Sequence, residues 1–227
     1  MNIINHPKSI IHFIHIGKTG GTCIKEALKE NLNTKKHTIV LHNHSFKLSD
    51  VPPDEKVFFF LRDPVQRFVS AFYSRQRQGM PRYNNPWSPQ EKDAFSTFLT
   101  PRHLAEALGT DDINYREKAI SAMRNITHVK TSFFDWFKNE EYFKKRLNSI
   151  LLIGFQDNLT NDFDLLKKLL DLPNDLKLPE DDIKSHRNAI TVDRQLSALA
   201  QTNLANWYSR DIHFYNICKQ NISTLLR

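Results

Sequence analysis

The fold turns on one stretch, Ile10-Ile11-His12-Phe13-Ile14-His15-Ile16-Gly17-Lys18-Thr19-Gly20-Gly21-Thr22. Its β-rich apolar half predicts a strand over Ile10–Ile16, which the glycine-rich turn brings to an end. Ile24, Ala27, Leu28 and Leu32 then recur at helical spacing, so a helix follows the turn. A strand feeding such a turn and then a helix sets several backbone N–H groups, and the positive end of a helix dipole, around an anion. Glycine lets the backbone come close, Lys18 adds a point charge, and Thr19 and Thr22 add hydroxyl donors. The Walker A pattern needs a glycine five residues before its Gly-Lys pair, and His12 stands there instead. This is a phosphate loop of another type, and its bland rival is an ordinary βα turn that happens to carry a lysine.

Working outward, His37–Leu41 reads as a short strand and Val57–Leu61 as a continuous apolar run suited to a buried parallel strand. That run stops at Arg62-Asp63-Pro64, where Asp63 has the character of an N-cap and Pro64 of a first helical residue. Val65, Phe68, Val69, Phe72 and Tyr73 mark the apolar face of the helix that follows. Arg62 falls at the carboxyl end of a strand, where α/β sheets bind ligands. Arg67, Ser70 and Ser74 fall on the face opposite the Phe stripe, and an arginine fork beside a hydroxyl suits a phosphate monoester. Taken alone, the segment is equally a capped amphipathic helix with solvated arginines.

Gly79–Gln90 carries three prolines and reads as a surface loop, and Asp93 to Leu147 has helical periodicity. Ile150–Phe155 is another strand, Phe163–Leu170 a helix, and the chain closes with helical material from Val192. Between them lies an irregular acidic stretch containing the basic cluster Lys184-Ser185-His186-Arg187-Asn188. The alternation gives the fold class: α/β, a single domain over 1–227, with a short, mostly parallel central sheet flanked by helices.

The 227 residues are 40% hydrophobic with sixteen Phe, enough for a sizeable core. The longest apolar runs are too short to span a bilayer, and Met1–Lys8 lacks the apolar stretch of a signal peptide. Two cysteines, Cys23 and Cys218, make neither a disulfide framework nor a zinc pattern, so a reducing cytoplasm is expected. A formal charge of +7 favours an anionic partner, whether nucleic acid, acidic polysaccharide or phosphorylated nucleotide.

Lys18-Thr19-Gly20-Gly21-Thr22 after its strand resembles the 5′-phosphosulfate loop of sulfotransferases that use 3′-phosphoadenosine-5′-phosphosulfate (PAPS). Arg62 to Ser70, in the arrangement Arg-Asp-Pro-x-x-Arg-Phe-x-Ser, resembles their 3′-phosphate motif. The closest branch is the carbohydrate sulfotransferases related to heparan sulfate 2-O-sulfotransferase, similar over 10–78 and more weakly over 148–172. The resemblance implies a nucleotide-kinase-like core and in-line displacement at sulfur, with adenosine 3′,5′-bisphosphate leaving and no metal. It implies that Lys18, Thr19, Gly20, Gly21, Thr22 and Cys23 hold the 5′-phosphosulfate, and Arg62 with Ser70 the 3′-phosphate. Lys184 and Arg187 would sit in a late loop over the nucleotide. Residues 10–78 would be the cofactor-binding core, 79–147 the acceptor side, and 148–227 the closing elements. The acceptor implied is a hydroxyl compound, a carbohydrate above all, with no nucleic acid or membrane partner.

His42-Asn43-His44 follows the second strand and resembles the His-x-His of that branch. A histidine near ~6.5 takes a proton from an attacking hydroxyl at neutral pH. We favour His44 as the base, because it lies further past the strand end, with His42 orienting the acceptor and Lys18 stabilising the leaving oxygen. Two histidines at i and i+2 also suit a metal ion. His12, His15, His103, His128 and His213 are expected to be core or surface residues. Two rival functions stand: an ATP-dependent small-molecule kinase, and a non-catalytic polyanion or nucleic-acid binding module.

Overall fold

The alternating side chains of Ser9–Ile14 (β1) give the sheet its two faces. The computed structural model describes residues 8–181, 183 and 193–225. Among these, β1, β2 (His37–Leu41), β3 (Lys56–Leu61) and β4 (Ile150–Phe155) form one sheet in the order β2-β1-β3-β4, with every pair parallel. The helices are α1 (Gly21–Leu28), α2 (Pro64–Gln76), α3 (Pro89–Thr97), α4 (Pro101–Ala107) and α5 (Ile113–Asn125). They continue with α6 (Phe134–Phe137), α7 (Glu140–Lys145), α8 (Leu159–Leu170), α9 (Ala198–Trp207) and α10 (Ser209–Leu225). The fold is α/β with a parallel sheet, as the sequence pattern predicts.

The described residues fall into two compact units. The first takes in the residues up to Leu61, Phe134–Glu180 and those from Cys218 on, and so holds the whole sheet. Ile11 and Phe13 of β1 and Phe58 and Phe60 of β3 share a core with Ile24 and Leu28 of α1 and Phe163, Leu166 and Leu170 of α8. Phe59, turned to the other face by strand alternation, meets the rings of Phe137 and Phe143 at 4.6 and 6.3 Å. A strand covered on both faces has no polar side to show, which is why β3 reads as an unbroken apolar run. β1 is central: β2 adds to one side and β3 to the other, so the strand order reverses between β1 and β3. At such a switch point the carboxyl ends of the strands open a crevice for ligands.

The second unit contains Arg62–Phe133 and the described residues between Asp181 and Ile217. Asp63 caps α2 by accepting from the Gln66 N–H at 2.9 Å, and Pro64 takes the first turn. Phe68, Val69, Phe72 and Tyr73 pack with Phe95, Leu104, Met123 and Leu204. The opposite face of α2 departs from expectation. Arg67 is 2% exposed, and its fork donates to the Thr131 carbonyl at 2.8 Å and to Thr131 Oγ1 at 2.5 Å, with Phe133 beneath it at 5.1 Å. Ser74 is buried as well. Arg67 is therefore a satisfied core guanidinium, which is the condition on which such a group is buried at all. A buried ion pair, Arg75–Glu91, stands at the other end of α2. No helix among the described residues is long and apolar enough to cross a membrane.

Candidate active site

The carboxyl end of β1 leads into the loop Gly17–Gly20, and two residues there have left-handed backbone: Lys18 at φ 68° and Gly20 at φ 91°. Gly20 is the N-cap of α1 and offers no side-chain cap, so the first N–H groups of that helix are left to other acceptors. Thr19 is buried, and its hydroxyl donates to the Ile16 carbonyl at 3.0 Å, which ties the loop to the strand. Gly21 is required for a different reason. A Cβ there would lie 2.2 Å from the His15 ring. Thr22 is half-buried and Cys23 buried, so Cys23 offers an anion its backbone N–H only.

His15 links this loop to the histidine segment. Its ring lies against Gly21 and, at 4.0 Å and a 35° tilt, against the ring of His44. Its carbonyl oxygen lies 2.8 Å from His44 Nδ1. With Nδ1 as the donor, the lone pair of a neutral His44 resides on Nε2. The backbone of His44 is pinned in turn, because the Trp136 indole N–H donates to its carbonyl at 2.9 Å.

His42 has different company. Its Nε2 lies 2.8 Å from His12 Nδ1, and His12 Nε2 is bonded to the Glu55 carboxylate. Phe46 stacks flat on the His42 ring at 3.4 Å. Lys25 of α1 donates to the His42 carbonyl at 3.1 Å. Burial lowers His42 below the usual histidine value, His12 and Lys25 push the same way, and Asp50 opposes them. Burial lowers Lys25 as well.

Two of the histidines expected to be bland are thus parts of this constellation. His12 sits in an apolar strand and His15 just past its end, and a single sequence offers no sign that Glu55, forty-three residues on from His12, comes within reach of it. The parallel register does it, pairing Ile11 with Lys56. Among the described residues no group of three or more His, Cys, Asp or Glu is arranged to hold a metal ion.

In the second unit Arg62 opens the segment leading to α2. Its Nε is buried without a hydrogen-bond partner among the described residues. Burial pushes its guanidinium down to about 10, Arg194 adds like-charge repulsion, and Asp63 only partly offsets them. Two cations near one another with an unsatisfied N–H make a place that favours an anion. Asp63, Val65, Gln66, Arg194 and Leu196 line an open cavity of about 740 Å³. Ser70 is half-buried two turns into α2. Lys184 and Arg187 lie outside the described residues.

The first unit offers a loop with left-handed Lys18 and Gly20 at a switch point and an imidazole tied to it through His15. The second offers an arginine whose Nε has no hydrogen-bond partner among the described residues. No curated protein matches the chain. The model of the Sulfotransferase family does match, over residues 1–217, and the chain belongs to that family.

Proposed function

We propose that the chain transfers a sulfuryl group from PAPS to a hydroxyl of a carbohydrate, as a sulfotransferase akin to the heparan sulfate 2-O branch. The observation that carries the reading is the tie through His15, which sets a histidine of fixed tautomer beside the anion loop. The groups fit such a donor: left-handed Lys18 and Gly20, the start of α1 without a side-chain cap, and an Arg62 whose Nε–H has no partner among the described residues. Lys18, Thr19, Gly20, Gly21, Thr22 and Cys23 hold the 5′-phosphosulfate, largely through backbone N–H groups, since the Thr19 hydroxyl is engaged by Ile16. Arg62 and Ser70 hold the 3′-phosphate. The donor supplies an activated sulfuryl group on a leaving phosphate, so no metal is needed for the chemistry.

His44 Nε2 takes the proton of the acceptor hydroxyl, and the His15 carbonyl stabilises the resulting imidazolium through Nδ1–H. His42 orients the acceptor. Lys18 and the loop N–H groups stabilise the negative charge that develops on the leaving oxygen. We read residues 1–227 as one sulfotransferase domain in which residues 79–147 contribute the acceptor side. We assign it to the cytoplasm, where the two free, buried thiols of Cys23 and Cys218 stay reduced.

The test is a thermal-shift series with sulfuryl transfer assayed beside it. Adenosine 3′,5′-bisphosphate should stabilise the chain without metal, by roughly 2.7 kcal/mol at a hundredfold excess over Kd. A larger shift with ATP and magnesium, abolished by chelator, would replace the sulfotransferase reading with a kinase.

A further inference from the structure

The contacts of His12 form a chain with a direction. A carboxylate has no proton to give, so Glu55 accepts, and His12 must carry its proton on Nε2. A neutral His12 then has its lone pair on Nδ1. Among the described residues that atom meets His42 Nε2 at 2.8 Å, which must therefore be the donor. While His12 is neutral, the proton of His42 is thus held on Nε2 and its lone pair on Nδ1. Packing holds the arrangement in place: Phe46 stacks on His42 at 3.4 Å and also faces His12 at 5.5 Å. His12 is 7% exposed and Glu55 is half-buried, so water competes poorly for either bond. The charged and titratable groups facing His42 are His12 from β1, Glu55 beyond it, Lys25 from α1 and Asp50 from the turn before β3. His44 makes the opposite choice, with Nδ1 turned to the His15 carbonyl. Two histidines one residue apart are therefore held in opposite tautomers by different partners.

We propose that Glu55 and His12 are positioning residues that act through His42, fixing its proton on Nε2 so that Nδ1 accepts a hydrogen bond from a hydroxyl of the acceptor. This rests on the reading that the acceptor is a hydroxyl compound. It gives the two histidines separate duties, His44 removing a proton and His42 accepting a hydrogen bond that holds the acceptor in register. A half-buried carboxylate engaged with a buried histidine is otherwise a costly feature beside a sheet that needs only apolar residues.

The experiment uses the whole chain and starts with wild type. Long-range ¹H–¹⁵N correlation of the imidazole nitrogens reports which one carries the proton, and the expected result for His42 is Nε2–H. His12→Phe keeps the ring and its stacking but deletes both hydrogen bonds, and His42 should then lose its preference. Glu55→Gln keeps an oxygen to accept from His12 but removes the charge. Without that charge protonating the pair costs more, so the titration midpoint of His42 should move to lower pH. In His12→Phe the KM for acceptor should rise about tenfold, the scale of one lost hydrogen bond, while the Kd for adenosine 3′,5′-bisphosphate stays put. A wild-type His42 protonated on Nδ1 overturns the proposal, and so does a His12→Phe variant whose KM matches wild type or a Glu55→Gln variant whose midpoint does. Failure of the nucleotide to bind any form would sink the sulfotransferase reading instead, and the wild-type tautomer would still be read.

Discussion

Lys18 is held at φ 68°, a conformation that costs a non-glycine residue of order 1 kcal/mol, and it sits in the loop between β1 and α1. That placement suits a charge needed most when the leaving oxygen turns negative. Lys18→Ala should therefore lower kcat more than it lowers nucleotide affinity, and titration calorimetry beside steady-state kinetics separates the two. Arg62 should behave in the opposite manner. Its Nε, without a hydrogen-bond partner among the described residues, and the nearby Arg194 suit the binding role proposed for it, so Arg62→Ala should cost about 1.5–3 kcal/mol of affinity for the 3′-phosphorylated nucleotide. Adenosine 5′-phosphosulfate, which lacks that phosphate, should bind variant and wild type alike. An undiminished preference for the 3′-phosphate in the variant would leave Arg62 a structural residue. For His44→Ala the expected loss of turnover is on the order of 10²–10⁴, with nucleotide binding intact.

At the scale of elements, strand, loop and helix are bound together by close approach more than by hydrogen bonds. Gly21→Ala would drive a methyl to 2.2 Å from the His15 ring, and that ring cannot retreat without pushing on His44. The variant should lose about 1–3 kcal/mol of stability and, disproportionately, turnover. Parallel chemical denaturation and kinetics would expose the disproportion. The elements themselves were legible in the sequence. β2 and β4 have the predicted ends, and Asp63 and Pro64 cap α2 as their chemistry dictates. Three things were not legible. Arg67 looked like a phosphate ligand because helical spacing names a face without naming what covers it, and Thr131 covers it. Thr19 looked like a donor to a ligand, but its hydroxyl turns back to Ile16. His12 and His15 looked bland because what matters about them is set by sheet register and by contacts twenty-nine to forty-three residues away.

Across the whole molecule, each compact unit has its own core, and that of the second is stapled by the buried pair Arg75–Glu91. Burial alone would raise Glu91, but the Arg75 fork, the Thr127 and Ser88 N–H groups and the charge of Arg75 outweigh it and hold the carboxyl at about 2. A depressed carboxyl contributes stability that is present above its unfolded value and is lost as pH falls toward its folded one. The protein should thus lose stability between about 4.5 and about 2 on this account. Glu91→Gln should cost roughly 3–5 kcal/mol near neutrality and flatten that acid decline, which denaturant titrations at several pH values would register. The position of His15 has a consequence at this scale too. One imidazole touches both Gly21 and His44, so on the proposed reading donor and acceptor substrates share a mechanical element. Energetic coupling of this kind is reciprocal. If a bound nucleotide steadies His44, then an acceptor resting on His44 must tighten the nucleotide by the same factor. Dead-end analogues of the two substrates should consequently inhibit synergistically, and Gly21→Ala should abolish the synergy before it abolishes either affinity.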